Sequence, residues 1–373
     1  METISIPTKI LSGVDSLDEL TNISNEKIFM VCDSFLPNTP TLKEITSKIN
    51  SSNSVTIFSD VKPDPPLENI ILGVKKYLNF QPTVVVAVGG GSAIDTGKAI
   101  RFFGEKILQK DIKFFTAIPT TSGTGSEVTN TSVISDTANH RKFPIMNDHL
   151  TPDYALLDPK LVTTAPQSVT AYSGLDVMTH ALESLVATKS NLLTDALAEK
   201  AVDTIAHHLV DCYNDGQDIQ SRQVVHEASC AAGIAFNTAG LGICHAIAHQ
   251  LGAEFHVPHG LANAMLLPYV VTYNASKSDL ALSKYAAAAR KAGLASNGMG
   301  DKVAVRRLVA CIQSMMRQMH CPATLNAFGI DVAEAAKMTA QIVSGAKADG
   351  TFPGNPVVPT DDDLAAIYKS IIK

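Results

Sequence analysis

Four histidines crowd residues 240–263, GLGICHAIAHQLGAEFHVPHGLAN, at His245, His249, His256 and His259. His245 and His249 stand four apart, so a helix there puts both imidazoles on one face. Pro258 permits a change of direction before a new helix opening at His259, so donors from two consecutive helices can meet at a point. Asp176 and His180 repeat the i, i+4 spacing upstream, in GLDVMTH. One carboxylate with several imidazoles is a plausible shell for a divalent metal. Coincidence would have to supply two such pairs and a further histidine among apolar neighbours. His140, His149, His207, His208, His226 and His320 have no partner at ligand spacing. Cys244 adjoins His245 but points about 100° away around a helix, and reads as a small buried filler.

The rest of the chain must position these groups. At 373 residues, 45% hydrophobic and 18% charged, it is rich enough in core for two domains. Its 36 acidic and 30 basic residues give a formal charge of −6 with no basic block, which argues against nucleic acid as a partner. The first residues, METISIPTKILSGVDSL, turn polar too early for a secretory core, and no apolar run is long enough to span a bilayer; a soluble, cytoplasmic protein with no membrane partner is expected. Six cysteines without a C-x-x-C pair read as reduced thiols.

Strand-like runs at 27–32, 54–58 and 83–88 alternate with helical runs at 41–49 and 66–78, the pattern of repeated βαβ units. The strands are short and apolar on both faces, as parallel strands covered by helices must be. Gly89-Gly90-Gly91-Ser92 follows the third of them and opens a helix. Glycines there let the backbone approach a pyrophosphate, and a helix N-terminus offers free N–H groups, although the motif is not G-x-G-x-x-G. The next strand, 114–118, runs into PTTSGTGSE, with five hydroxyls and two glycines in nine residues. Such a loop suits hydrogen bonding to ribose, phosphate or amide groups. Asp33 ends the first strand, where a carboxylate can accept from adenosine ribose hydroxyls and repel a 2′-phosphate, favouring NAD over NADP.

From Pro166 onward the periodicity is helical, with candidate helices at 167–186, 192–210, 222–236, 239–251, 259–273, 278–292, 301–319, 332–343 and 361–372. The expected architecture is α/β plus all-α: a Rossmann-like parallel-sheet domain over 1–160, binding the dinucleotide, followed by an all-helical metal-binding and substrate domain over 161–373. Glycine loops fall in the first and metal candidates in the second, so the active site is expected in the cleft between them.

The motifs GGGSAIDTGKA, IPTTSGTGSEVT, ALLDP, GLDVMTHALE and AIAHQLGAEFHVPHGLANA, in this order, resemble those of the iron-containing (group III) alcohol dehydrogenases over nearly the whole chain. DALAEKA and GIAFNTAGLG are most similar to members that serve bacterial propanediol utilisation. The resemblance implies a dehydroquinate synthase-like fold and an NAD-dependent enzyme interconverting short-chain primary alcohols and aldehydes, with propionaldehyde reduced to 1-propanol. It implies Asp176, His180, His245 and His259 as ligands of Fe(II), or of zinc, with His249 beside the metal as a proton relay. It also implies Asp33 at the adenosine ribose, Gly90, Gly91 and Ser92 at the pyrophosphate, Thr120, Thr121 and Thr124 on the nicotinamide side, and Lys142 at a ribose hydroxyl. A homodimer or larger homo-oligomer and residence in a bacterial microcompartment are implied in the same way. Gly97, often alanine in the family, is expected to loosen the phosphate-binding helix slightly. Phe236 is a candidate pocket wall or an ordinary core residue. Two alternatives remain: a metal- and NAD-dependent cyclase resembling dehydroquinate synthase, which needs more lysines and arginines near the metal than these helices carry, and a catalytically silent assembly protein, which has no need of intact ligand positions.

Overall fold

The structure, a computed structural model, describes residues 4–136 and 141–373. It divides into two units, Met1–Ala165 and Pro166–Lys373. The turn at Pro159–Val162 stays with the first unit because Leu161 and Val162 are buried, Leu161 in a core cluster under the sheet.

The first unit contains β1 (Lys9–Ser12), β2 (Lys27–Asp33), α1 (Pro40–Ser47), β3 (Ser54–Val61), α2 (Leu67–Phe80), β4 (Val84–Gly89), α3 (Gly91–Leu108), β5 (Phe114–Pro119), β6 (Thr131–Asp136), β7 (Arg141–Met146) and β8 (Tyr154–Leu157). A six-stranded sheet has the order β1-β8-β5-β4-β2-β3, every described pairing parallel. Alternation along β2 sends Phe29 and Val31 into one core cluster and Ile28, Met30 and Cys32 into another, so both faces are buried. Pairing of β2 with β4 and of β4 with β5 brings Asp33, Gly89 and Pro119 to one end of three adjacent strands. The chain leaves β2 towards β3 and β4 towards β5, in opposite directions across the sheet. This is a topological switch point, where open parallel sheets bind ligands beyond the carboxyl ends of their strands.

The four-residue strands β1, at one edge of the sheet, and β8, beside it, and the antiparallel β6–β7 hairpin were not expected from sequence. A half-exposed KILS and a short YALL carry no alternation of their own and are strands only because β8 and its neighbours supply partners. The expected loosening at Gly97 does not follow from the packing. A Cβ at Gly97 would meet the Ala87 Cβ at 3.0 Å and the Phe115 ring at 3.5 Å, so the missing side chain lets α3 lie close on the sheet.

The second unit is helical: α4 (Gln167–Val186), α5 (Leu192–Asn214), α6 (Ile219–Ala239), α7 (Ile243–Phe255), α8 (His259–Lys277), α9 (Asp279–Lys291), α10 (Asp301–Gln318), α11 (Leu325–Phe328), α12 (Val332–Lys337), α13 (Thr339–Ala348) and α14 (Asp361–Lys369). Among the described residues, no single helix is long and apolar enough to cross a membrane. The helix expected from 239 begins at Ile243, because Gly240 takes φ 86° to end α6 and Gly242 is extended. Residues 174–186 of α4 are buried without a break, as are residues 243–248 of α7. Polar ligands can sit there only if they are paired or hold an ion.

Candidate functional site

In the first unit the three loops converge. Asp33 accepts a hydrogen bond from the Gly90 N–H at 3.0 Å, and burial raises its pKa against that donor. Gly89 has φ 146°, and a Cβ there would lie 2.8 Å from the Asp33 carboxyl carbon and 2.7 Å from the Ala93 Cβ. A Cβ on Gly91 would press on Thr124, 2.7 Å from its methyl, and one on Gly90 would meet the Thr121 hydroxyl at 3.4 Å. At Gly89 and Gly91 the backbone can make this approach only with hydrogen in place of a side chain. No side chain caps α3, and an uncapped helix N-terminus suits an anion. Thr120 donates its N–H to the Gly89 carbonyl at 3.0 Å, which ties the hydroxyl loop to the glycine loop.

A buried network holds that loop over α3. Lys98 donates to the Thr129 carbonyl and hydroxyl at 2.8 and 3.0 Å and to the Thr131 carbonyl at 2.8 Å. Asp95 accepts from the Ser126 hydroxyl at 2.6 Å and the Val133 N–H at 2.9 Å. Burial lowers Lys98 to about 8 and raises Glu127 to about 7, so the network is held by its partners at an electrostatic cost. Of the five hydroxyls in this loop, that of Ser126 is committed to Asp95. The Lys142 side chain and His140 lie outside the described residues.

In the second unit, Asp176, His180, His245 and His259 each offer a donor atom within 4.8 Å of the others. The His180, His245 and His259 Nε2 atoms lie 3.9, 3.8 and 3.6 Å from the Asp176 carboxylate. These separations are too long for hydrogen bonds and leave the donor atoms grouped around one point without bonding to one another. Burial drives His245 well below an ordinary imidazole pKa, which favours the neutral ring. Burial acts to raise Asp176, but His180, His259, His245 and the Asn263 amide together outweigh it and the carboxylate is stabilised. The Asn263 amide nitrogen stands 2.7 Å from Asp176, 3.1 Å from His245 and 3.2 Å from His259, while its buried carbonyl oxygen has no partner. A nitrogen-rich set around one carboxylate, with an orphaned amide oxygen beside it, fits a divalent ion of the iron or zinc type.

The other residues singled out by sequence fall around this group. His249 is outside the four and pairs through Nδ1 with Asp349 at 2.8 Å; Asp349 also accepts from Thr351. His256 is the left-handed C-cap of α7, with φ 54°. Phe236 lies flat on His180, ring centroids 4.4 Å apart. Cys244 is fully buried, with its thiol on the main-chain carbonyl of Asn263 at 3.4 Å. A second carboxylate–histidine group, Glu105, Asp111 and His149, already has Arg101 donating to Glu105.

Glu183, Asp349 and Asn263 were missed. Glu183 is buried and takes His245 Nδ1 at 2.6 Å and the Cys244 N–H at 2.7 Å. Burial pushes it up to about 7 against the pull of the Cys244, Gly242 and His245 N–H groups. The signal was present, since Asp176, His180 and Glu183 follow i, i+4, i+7 on one face of α4.

Residues 7–159 match the iron-containing alcohol dehydrogenase family, and residues 170–372 match the C-terminal region of the Fe-containing alcohol dehydrogenase family. The chain is 41% identical over 372 residues to a 1-propanol dehydrogenase of Citrobacter freundii, covering 100% of both chains. It is 35% identical over 387 residues to an NADPH-dependent butanol dehydrogenase of Clostridium saccharobutylicum, covering 100% of this chain and 98% of the other. A solved structure of a 1,3-propanediol oxidoreductase superposes with a TM-score of 0.90 at 30% identity, over 99% of each chain. With its α/β and helical parts each matched and its length spanned, this chain belongs to the iron-containing alcohol dehydrogenases and is an alcohol oxidoreductase.

Proposed function

We propose that this enzyme is NAD-dependent and iron-loaded, with zinc the alternative ion, and that it interconverts short-chain primary alcohols and aldehydes, chiefly reducing propionaldehyde to 1-propanol. The observation that carries the reading is the convergence of Asp176, His180, His245 and His259 on one point. The 1-propanol dehydrogenase of Citrobacter freundii supplies the choice of substrate. With a single carboxylate among the four donors, a divalent ion held there would keep net positive charge. The bound ion supplies Lewis acidity towards a substrate oxygen, and the nicotinamide supplies or takes up hydride.

The chain's residues do the rest. Asp176 and the three imidazoles would hold the ion, and Phe236, stacked on His180, offers an apolar surface beside that ring that suits a short alkyl chain. Asp349 and Thr351 hold the His249 ring, whose Nε2 is then free to exchange the hydroxyl proton with solvent. In the first unit, Gly90, Gly91 and Ser92 would cradle the pyrophosphate. Thr120, Thr121 and Thr124 would face the nicotinamide half, Asp33 the adenosine ribose, and Lys142 a ribose hydroxyl. The test is anaerobic purification with metal analysis, then NADH oxidation with propionaldehyde and NADPH as the comparison. Iron-dependent turnover is expected; bound metal without aldehyde reduction overturns the substrate assignment.

Cofactor choice is not set by the family, since a relative at 35% identity is NADPH-dependent, so it must come from residues of this chain. The Asp33 carboxylate, already committed to the Gly90 N–H, would meet a 2′-phosphate as a like charge. Asp33→Gly is expected to raise the NADPH-to-NADH ratio of kcat/KM by about 10-fold or more, a change of ~1.4 kcal/mol. An unchanged ratio removes Asp33 as the filter. We place the enzyme, as a homodimer or larger homo-oligomer, in the cytoplasm and within a bacterial microcompartment. An even spread through cells that are making compartments overturns the microcompartment assignment.

A further inference from the structure

The N-terminus of α7 has no cap of its own. Gly242 stands at the N-cap position without a side chain, and the first-turn N–H groups turn instead to distant residues. Asn355 accepts from Ile243 at 3.4 Å, and the two Glu183 oxygens accept from Cys244 at 2.7 Å and His245 at 3.4 Å. A Cβ on Gly242 would sit 2.9 Å from Glu183 and 2.7 Å from Asn355, so glycine is what admits both carboxamide and carboxylate. The Glu183 oxygen nearer the imidazole also meets His245 Nδ1 at 2.6 Å. Glu183 is 2% exposed and lies one and two turns beyond His180 and Asp176 on α4.

We infer that Glu183 is the positioning residue of the metal centre: its carboxylate holds the His245 ring proton on Nδ1, leaving the Nε2 lone pair for the ion, and caps α7 in register with α4. The inference rests on the metal reading above. One side chain thereby couples the helix that carries Asp176 and His180 to the helix that carries His245. A carboxylate behind a ligating imidazole fixes its tautomer and raises its basicity, and losing such a partner costs about 10–100-fold in metal affinity.

Glu183→Gln separates the two roles. Its amide oxygen can still accept from the Cys244 N–H, but its NH₂ then faces His245 Nδ1 and donates to it. The ring proton must move to Nε2, where it blocks the ligand position. The expected result is a metal-free fold that melts as wild type does, with Fe(II) or Co(II) affinity lowered about 10–100-fold in anaerobic chelator competition. Glu183→Ala should lose cap and partner together, lowering both affinity and melting temperature. Wild-type affinity in Glu183→Gln overturns the inference.

A second measurement does not depend on any variant folding. Nitrogen-15 spectra of histidine-labelled, metal-free wild type at mildly alkaline pH should show His245 protonated at Nδ1; protonation at Nε2 overturns the proposal directly. Asp176→Asn serves as the control for the reading beneath it. If that variant binds metal as wild type does, the ligand set is wrong, whatever the tautomer of His245.

Discussion

His259→Ala is expected to purify without metal and to lose on the order of 10³-fold in kcat/KM, while its metal-free form melts within about 4 °C of wild type. The size of the kinetic loss follows from the several kcal/mol that a Lewis acid contributes, at ~1.4 kcal/mol per factor of ten. The small cost in stability follows from burial. The side chain of His259 is 39% exposed, whereas those of Asp176, His180 and His245 are between 2 and 5% exposed. Truncating one of the buried three would leave a cavity or an unpaired charge and confound metal loss with unfolding. His259 also opens α8, with Pro258 as its N-cap, so no intrahelical turn precedes it to be disturbed. Anaerobic metal analysis beside a thermal melt decides the matter; retained iron with full turnover removes His259 from the ligand set.

What could be read in the chain before the structure was the chemistry that sits on regular spacing. Asp176 with His180, and His245 with His249, declare themselves because a helix repeats on one face every third or fourth residue. The glycine and threonine loops were legible as turns at the ends of β4 and β5, because glycines and hydroxyls cluster there directly after apolar runs. The long helices and the central strands β2 and β4 were legible for the same reason, since their apolar pattern is their own. The short strands β1 and β8 were not, because their pairing is conferred by neighbours. Nor were Asp349 and Asn355, which reach α7 from about a hundred residues away through short irregular segments. Spacing also could not separate the roles of two histidines on one helix: His245 faces Asp176, whereas His249 turns to Asp349.

The residue after His259 tests whether the distance between helices, and not only the identity of the ligands, makes the metal site. A Cβ on Gly260 would stand 2.7 Å from the Tyr172 carbonyl carbon and 3.2 Å from the Asp176 Cβ. The first neighbour is backbone and cannot rotate away. Ordinary contact between such atoms is about 3.5–4.0 Å, so α8 has to move off α4 by on the order of 1 Å. That shift separates His259 from Asp176, which now face each other at 3.6 Å, and a site of this kind must be held to about 0.5 Å. Gly260→Ala is therefore expected to lower metal affinity by about 100-fold with every ligand intact, and to cost about 1–3 kcal/mol in stability through overpacking. Gly298→Ala is the matched control, because a Cβ there meets nothing within 4 Å. Chelator competition and melting of the two variants side by side give the answer. If Gly260→Ala binds metal like the control while losing stability, the helices absorb the methyl elsewhere and the ligands alone define the site. If affinity falls as expected, the glycine is as much a part of the metal centre as the histidine before it.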